Sequence, residues 1–495
     1  VSSVSQRTLL LLRRALHYKS FILGVAILLF FIGLSVYAEV TWPFEEAITL
    51  WNNPEAWLEY PKFAKPEWIT VFTGKRELRG SLILDSRVAN LTECVIEVRE
   101  NKSLIMCKDL YKMREIRSIG NQQILNGITE ITFNYEYDEF PSGGKYEVYV
   151  NSTEKVYVDL VLVKPNGLEV KLEGGFYTTG AILRTLEVKP GELSRIQLNY
   201  AETIKKTYGV EIDVSKIEPV KLLFIDDKLF IEKNIYKPLN GTYRLISSIY
   251  SADINATAEV KVLIHGTIYG IAGTDRLGRD LFMAIAWGAP IAIAFGLTAS
   301  VLSTLLTMIL AAISAWYGKI IDNTMARINE IFMIIPFLPT IIMLRLFYGL
   351  DLWGMLWIII LFSVWGSGLK TMRAMFLQIR EMPYIEAARA YGASSARIIA
   401  RYMVPRVVPV LIPNIVTAIP SFVFLEAALA ILGVSDPRLI TWGKVLQDAY
   451  ENAALTQGHY HWILGPAIAL FLMAIAFALI GFTLDRVFNP RLREL

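Results

Sequence analysis

The chain has 495 residues, 54% of them hydrophobic, 12% aromatic and 19% charged, with a mean hydropathy of +0.42 and a net charge of +3. It is too apolar for a wholly water-soluble protein of this length and too charged for one lying entirely in lipid, so it divides between the two solvents. Its basic residues are scattered and nearly balanced by acidic ones, which gives no support for a nucleic-acid partner.

Uncharged runs locate the membrane spans, because about 20 apolar residues at 1.5 Å each cross a hydrocarbon core of about 30 Å. Ser20 to Ala38 is the first, bounded by Lys19 and Glu39. No small-x-small cleavage pattern precedes Glu45 and Glu46, so it reads as an uncleaved anchor. From Leu281 to Gly318 no charge occurs, and one helix of that length would measure about 57 Å. A break is expected at Gly288-Ala289-Pro290, giving a short interfacial helix and then a span from about Ile291 to Tyr317. Further spans are expected at Ile328 to Tyr348, Leu352 to Leu369, Val408 to Ile431 and Trp462 to Leu484. The fold class is therefore an α-helical polytopic membrane protein with six transmembrane helices. Lys and Arg near the span ends favour cytoplasmic termini and place residues 40–280 on the outside.

That outer block alternates apolar and polar residues with period two in VIEVRE, KYEVYV, KVYVDLVLV, GLEVKLEGG and AEVKVLI. A mainly β extracytoplasmic domain is expected over 41–265, with one helix near Glu192 to Tyr208, between a first region 1–40 and a helical core 266–495. The five N-x-S/T sequons, at Asn90, Asn101, Asn151, Asn240 and Asn255, all fall in the block and are candidate glycosylation sites. So do the two cysteines. A hairpin over 95–107 would bring Cys94 and Cys107 together as a disulfide worth about 3 kcal/mol, and two buried free thiols are the alternative.

Between the fourth and fifth expected spans lies the charged stretch EMPYIEAARAYGASSARIIARYMVP, residues 381–405. Pro383 suits a first helical turn and Gly392 a left-handed cap. Ser394 or Ser395 would then cap a second helix, which Pro405 would stop. Amphipathic helices of this kind also serve merely as lipid anchors. The spacing Glu386-Ala387-Ala388, Gly392, then Tyr402-Met403-Val404-Pro405 nevertheless resembles the EAA loop of binding-protein-dependent ABC importer permeases. Tyr402 and Val404 depart from that pattern's Ile and Leu. Gly273-Thr274-Asp275-Arg276-Leu277-Gly278-Arg279-Asp280 is similar to the GTDxxGRD segment that precedes the second span in C-type permeases of dipeptide, oligopeptide and nickel importers. The likeness extends through Tyr317-Gly318, Asp322, Arg327, Pro336 and Pro339 to Glu426-Ala427-Ala428-Leu429, Leu432-Gly433 and Trp442-Gly443. It covers residues 1–40 and about 266–495, whereas the long outer block departs from the family's usual short loop.

The resemblance implies a type I ABC importer permease fold and a partnership with a second homologous permease, two cytoplasmic ABC ATPases and an extracytoplasmic solute-binding protein in the plasma membrane. It implies short peptides as cargo, with oligosaccharides or nickel as alternatives. Glu386 would pair with a basic group of the ATPase, with Arg389 and Arg397 as secondary contacts, and Gly392 and Pro405 would fix the loop's corners. No Gly-Lys pair sits in a phosphate-binding loop pattern, so ATP hydrolysis is expected elsewhere, with no cofactor on this chain. His17, His265, His459 and His461 make no recognisable metal site. Asn414, Thr417, Ser421 and Glu426 are candidate pathway residues, against a reading in which the small polar groups simply bond between helices. The outer block is expected to be a docking or gating platform for the binding protein. A membrane-anchored sensor or a membrane enzyme built on that block is the more distant alternative.

Overall fold

The computed structural model describes residues 13–85, 95–99, 102–106, 113–119, 122–186, 193–253 and 255–488. The chain divides into two compact units, 1–52 with 283–495 and 53–282. These limits differ from the expected boundaries at 41 and 265, and Gly273–Asp280 falls with the β-rich unit.

In the helical unit, α1 (Lys19–Thr41) is followed by α2 (Phe44–Asn52). Gly24 lets α1 approach a later helix closely, since a Cβ there would stand 2.8 Å from the Ala476 carbonyl oxygen. Ser20 and Thr483 share a hydrogen bond of 3.0 Å between the same two helices.

The β-rich unit begins with a 3-10 turn at Pro54–Trp57 and a short helix, α3 (Ile69–Thr73), and carries eleven strands among its described residues: β1 (Ser81–Asp85), β2 (Val95–Arg99), β3 (Lys102–Met106), β4 (Met113–Ile119), β5 (Gln122–Tyr135), β6 (Gly143–Asn151), β7 (Val156–Val163), β8 (Glu169–Tyr177), β9 (Gly180–Thr185), β10 (Gly241–Ser251) and β11 (Thr257–His265). They form a six-stranded sheet ordered β2-β3-β1-β11-β6-β9 and a five-stranded sheet ordered β4-β5-β10-β7-β8. Period-two patterning explains how one core serves both: alternate residues of β7, Val156, Val158, Leu160 and Leu162, are buried together with Val148 and Val262 of the other sheet. Helix α4 (Arg195–Tyr208) starts at a reciprocal capping box between Ser194 and Gln197 and ends at Gly209 with φ +70. The remaining short helices are α5 (Pro219–Phe224) and α6 (Asp227–Lys233). The hairpin β2–β3 pairs Val95 with Met106 and Arg99 with Lys102. Cys94, Cys107, Asn90 and Asn101 lie outside the described residues, while Asn151, Asn240 and Asn255 are exposed.

The helical unit resumes with α7 (Leu281–Tyr317), α8 (Lys319–Ile334), α9 (Phe337–Tyr348), α10 (Leu352–Val364), α11 (Ser367–Arg380), α12 (Pro383–Ala390), α13 (Ser395–Ile431), α14 (Trp442–Glu451) and α15 (Tyr460–Phe488). Among the described residues four helices of this unit, α1, α7, α13 and α15, are long and apolar enough to cross a membrane, or six spans result if the bent pairs α8–α9 and α10–α11 each count as one. Three expectations are corrected. The break at Gly288-Ala289-Pro290 is absent: α7 runs 37 residues with Pro290 inside it. One proline removes only one ladder bond, and Gly288 makes room for Trp442, whose indole N–H donates to the Ile285 carbonyl at 2.9 Å. The third and fourth expected spans are no single helices, since α8 and α9 meet at 81° around Pro336 and α10 and α11 at 49° around Trp365-Gly366. Finally, Pro405 does not stop a helix, as set out below.

Candidate functional site

The charged segment 381–405 folds as a compact elbow. Pro383 opens α12 at its first turn, where the missing N–H costs no bond. At the other end the Ala393 N–H donates to Ala388 O (3.0 Å) and the Gly392 N–H to Arg389 O (2.9 Å), the paired bonds of a Schellman cap. Gly392 takes φ +75, as its position demands. Ser394 occupies the N-cap position of α13 without a side-chain cap bond. The chain then passes through a π-turn at Ile399–Met403, where the Val404 N–H reaches Ile399 O, and continues unbroken past Pro405 to Ile431. The wider turn absorbs the proline that would otherwise clash with the preceding carbonyl, so the elbow and the following span are one helix.

The elbow's inner face is apolar. Ile385, Ala388, Ile398 and Met403 are buried with Ala311, Ala312 and Ala315 of α7 and Phe376 of α11. Polar contacts lock it further. Arg380 donates to Ala315 O at 2.8 Å, the Arg389 guanidinium stacks 4.3 Å from the Trp316 ring centroid, and Arg373 makes a bidentate pair with Asp322. Asp322 also accepts from the Ser314 hydroxyl at 2.5 Å. Arg389 is thus engaged by its own chain, whereas Glu386 and Arg397 are exposed and have no ion-pair partner among the described residues. Between them Tyr391 is 92% exposed. The sequence reading did not single out Tyr391, although an aromatic next to a capping glycine was the available signal. Trp316 was equally overlooked, although it lies near the end of an uncharged run.

The segment Gly273–Asp280 is a buried clasp within the β-rich unit. Asp275 accepts from the Leu277 N–H (2.8 Å), the Arg279 N–H (2.9 Å) and Arg279 Nε (2.6 Å). Thr274 donates to Pro61 O and accepts from the Ala64 N–H. Gly278, at φ +83, would bring a Cβ to 3.0 Å from Tyr60 O. Asp280 accepts from the Phe282 N–H at the start of α7. The spacing of this motif therefore serves a fold: it ties residues 60–64 to the entry of the helix.

The four pathway candidates on α13 do not share one face. Asn414 and Ser421 are exposed, with Val410, Phe424 and Ala428 along the same stripe. Thr417 donates to Pro413 O, and its methyl stands 2.4 Å from where a Cβ on Gly481 of α15 would be. Glu426 points about 120° away from Asn414 at 100° per residue. Its Oε1 accepts from the Thr441 hydroxyl at 2.8 Å, and Thr441 is the N-cap of α14. A Cβ on Gly443 would lie 2.9 Å from Glu426 Oε2, so the glycine leaves room for the carboxylate. No group of three or more His, Cys, Asp or Glu suited to a metal occurs among the described residues.

A bundle of helices long and apolar enough to cross a membrane marks a multi-pass membrane protein. Residues 303–494 match the family described as the binding-protein-dependent transport system inner membrane component. A putative peptide transport system permease protein of Brucella suis biovar 1 is 33% identical over 224 residues, covering 45% of this chain and 73% of the relative. The oligopeptide transport system permease protein OppC of Bacillus subtilis is 31% identical over 226 residues (45% and 72%), and the dipeptide transport system permease protein DppC of the same organism 29% over 223 residues (45% and 69%). The chain belongs to this family of transport-system membrane components.

Proposed function

We propose that the chain is one of two permeases forming the translocation pathway of an ATP-driven importer, moving short peptides handed over by a solute-binding protein. The observation that carries the reading is the elbow, a locked inner face presenting Glu386, Tyr391 and Arg397 without intramolecular ion pairs. That is a docking surface for cytoplasmic ATPase subunits, with Ala387, Gly392 and the backbone through Pro405 shaping it. The peptide relatives support the cargo class. Asn414 and Ser421, on the open face of α13, line the pathway toward the second permease, and Glu426 holds α13 to α14. Both termini are cytoplasmic, and residues 53–282 stand outside as a platform for the binding protein.

The test is Glu386→Lys in the assembled transporter. The variant remains membrane-inserted, yet ATPase subunits are lost on purification and vesicle uptake falls by about tenfold to a hundredfold, the scale of one charge-assisted contact of about 1.5–3 kcal/mol. Parental retention and uptake would overturn the docking assignment. Binding assays of the solute-binding protein against peptides, oligosaccharides and nickel decide the cargo. Thiol labelling of Phe176→Cys with an impermeant reagent on intact cells decides the orientation.

A further inference from the structure

The β-rich unit carries an apolar foot that its own core does not use. Val71 and Phe72 of α3 are 80% and 81% exposed, Ile271 is 63% exposed and Trp68 53%. These are four large side chains on two segments held rigidly together. The Trp68 indole N–H donates to Ile271 O at 2.9 Å, the Glu67 N–H to Gly270 O at 2.9 Å, and the Tyr269 N–H to Lys65 O at 2.8 Å. Trp68 and Phe72 contact edge to face, their ring centroids 6.1 Å apart. Lys65, Lys75 and Arg76 flank the patch and are exposed, the last two paired with Glu139 and Asp138.

Chain continuity says what covers this foot. The Leu281 N–H, the first of the 37-residue apolar helix α7, donates to Gly273 O at 3.0 Å, and Gly273 is two residues from Ile271. Six residues further along the same helix, about 9 Å at 1.5 Å per residue, the Trp287 indole donates to Trp42 O at the end of α1. Trp42, just past the end of α1, and Trp287, in the second turn of α7, thus lie at one level, and tryptophans near span ends mark a membrane–water interface, whose polar zone is about 5–8 Å deep on each side. An apolar patch with one indole, one phenyl ring and flanking lysines has the composition of an interfacial anchor.

We propose that Trp68, Val71, Phe72 and Ile271 insert into the bilayer interface beside the entry of α7, so that the β-rich unit is held by lipid as well as by its two chain connections. The inference needs only that α7 spans the membrane; it is independent of the cargo and of which side the unit occupies.

The test places an environment-sensitive fluorophore on Phe72→Cys, and for reference on Phe176→Cys, in the full chain reconstituted in phosphatidylcholine–phosphatidylglycerol nanodiscs. Background labelling is measured on the parental chain. Phe176 is 72% exposed on the edge strand β8, so both positions accept a label without disturbing the core. Lipid-attached nitroxide is expected to quench the label at 72 on the order of fivefold more than at 176, with aqueous iodide showing the reverse order, as for a side chain seated about 5–10 Å into the headgroup boundary. Equal lipid quenching at the two positions would overturn the proposal. So would a label at 72 that iodide reaches freely, or one that neither quencher reaches, since protein and not lipid would then cover it.

Discussion

Replacing Gly392 with valine isolates the geometry of the elbow from its chemistry. The residue has φ +75, and a Cβ built there meets nothing within 4 Å, so the substitution creates no clash with a neighbour. Its cost is the left-handed backbone itself, about 1–2 kcal/mol for an ordinary L-residue and more for a β-branched one. Opposing that strain are the two capping bonds from Ala393 to Ala388 and from Gly392 to Arg389, each contributing about 1 kcal/mol net. For valine the strain matches or exceeds the bonds, so the turn opens and α12 leaves its seat on Ala315 and Phe376. For asparagine, which tolerates this conformation, it does not. The expected order of ATPase retention on detergent purification is therefore Gly, then Asn, then Ala, then Val, with membrane insertion unchanged and vesicle uptake following retention. A flat series would refute the reasoning, because no other property of position 392 distinguishes these residues.

Gly443→Ala would place a Cβ 2.9 Å from Ala427 Cα, Ala430 Cβ and Glu426 Oε2; overpacking of this kind costs about 1–3 kcal/mol, and thermal unfolding of the purified chain should register it. His265 is buried, with its Nδ1 2.9 Å from Ser81 Oγ, and burial, with Lys62 and Lys145 adding to it, lowers its pKa from 6.5 to about 4. The folded state then binds fewer protons than the unfolded state between those values, so stability is full at neutral pH and falls as pH drops through 6.5 toward 4. The loss reaches about 3 kcal/mol, and unfolding midpoints at pH 7, 5 and 4 should show it, flattened in His265→Asn. For the cysteines, alkylation of the unreduced, denatured chain should leave Cys94 and Cys107 unmodified if they are bonded; two added alkyl groups would mean free thiols.

Local signals carried the sequence reading a long way and then misled it at prolines. Gly392 was legible because a helix that must reverse needs a positive φ, and the period-two stretches became strands at or near their expected places. Pro290 and Pro405 were read as breaks because each removes one ladder bond, yet both lie inside continuous helices. A π-turn before Pro405 and the packing of Trp442 on Gly288 supply what local sequence does not reveal. The parallel pairing of β1 with β3 was equally illegible, since register between strands depends on distant partners. So did the stack of Arg389 on Trp316, 73 residues apart, which removed one charge from the expected outward set.

The correction at Pro405 changes how the proposed transporter transmits force. Were the elbow a separate helix ended by that proline, a push on Glu386 or Tyr391 would be dissipated in a hinge before reaching the membrane. Instead α13 runs 37 residues without interruption, about 56 Å at 1.5 Å per residue, and it begins three residues after Gly392. Near its far end Glu426 accepts from Thr441, the cap of α14, while Asn414 and Ser421 ride on its open face between the two. One continuous helix therefore joins the proposed ATPase-docking elbow, the candidate pathway residues and α14. Its weak point is the π-turn at Ile399–Met403, where the ladder changes from five-residue to four-residue bonding, and Pro409, Pro413 and Pro420 each remove a further bond. Bending is thus concentrated between the π-turn and Pro420, the stretch that carries Asn414, and the helix from Ser421 on, with its Glu426 contact, moves as a unit.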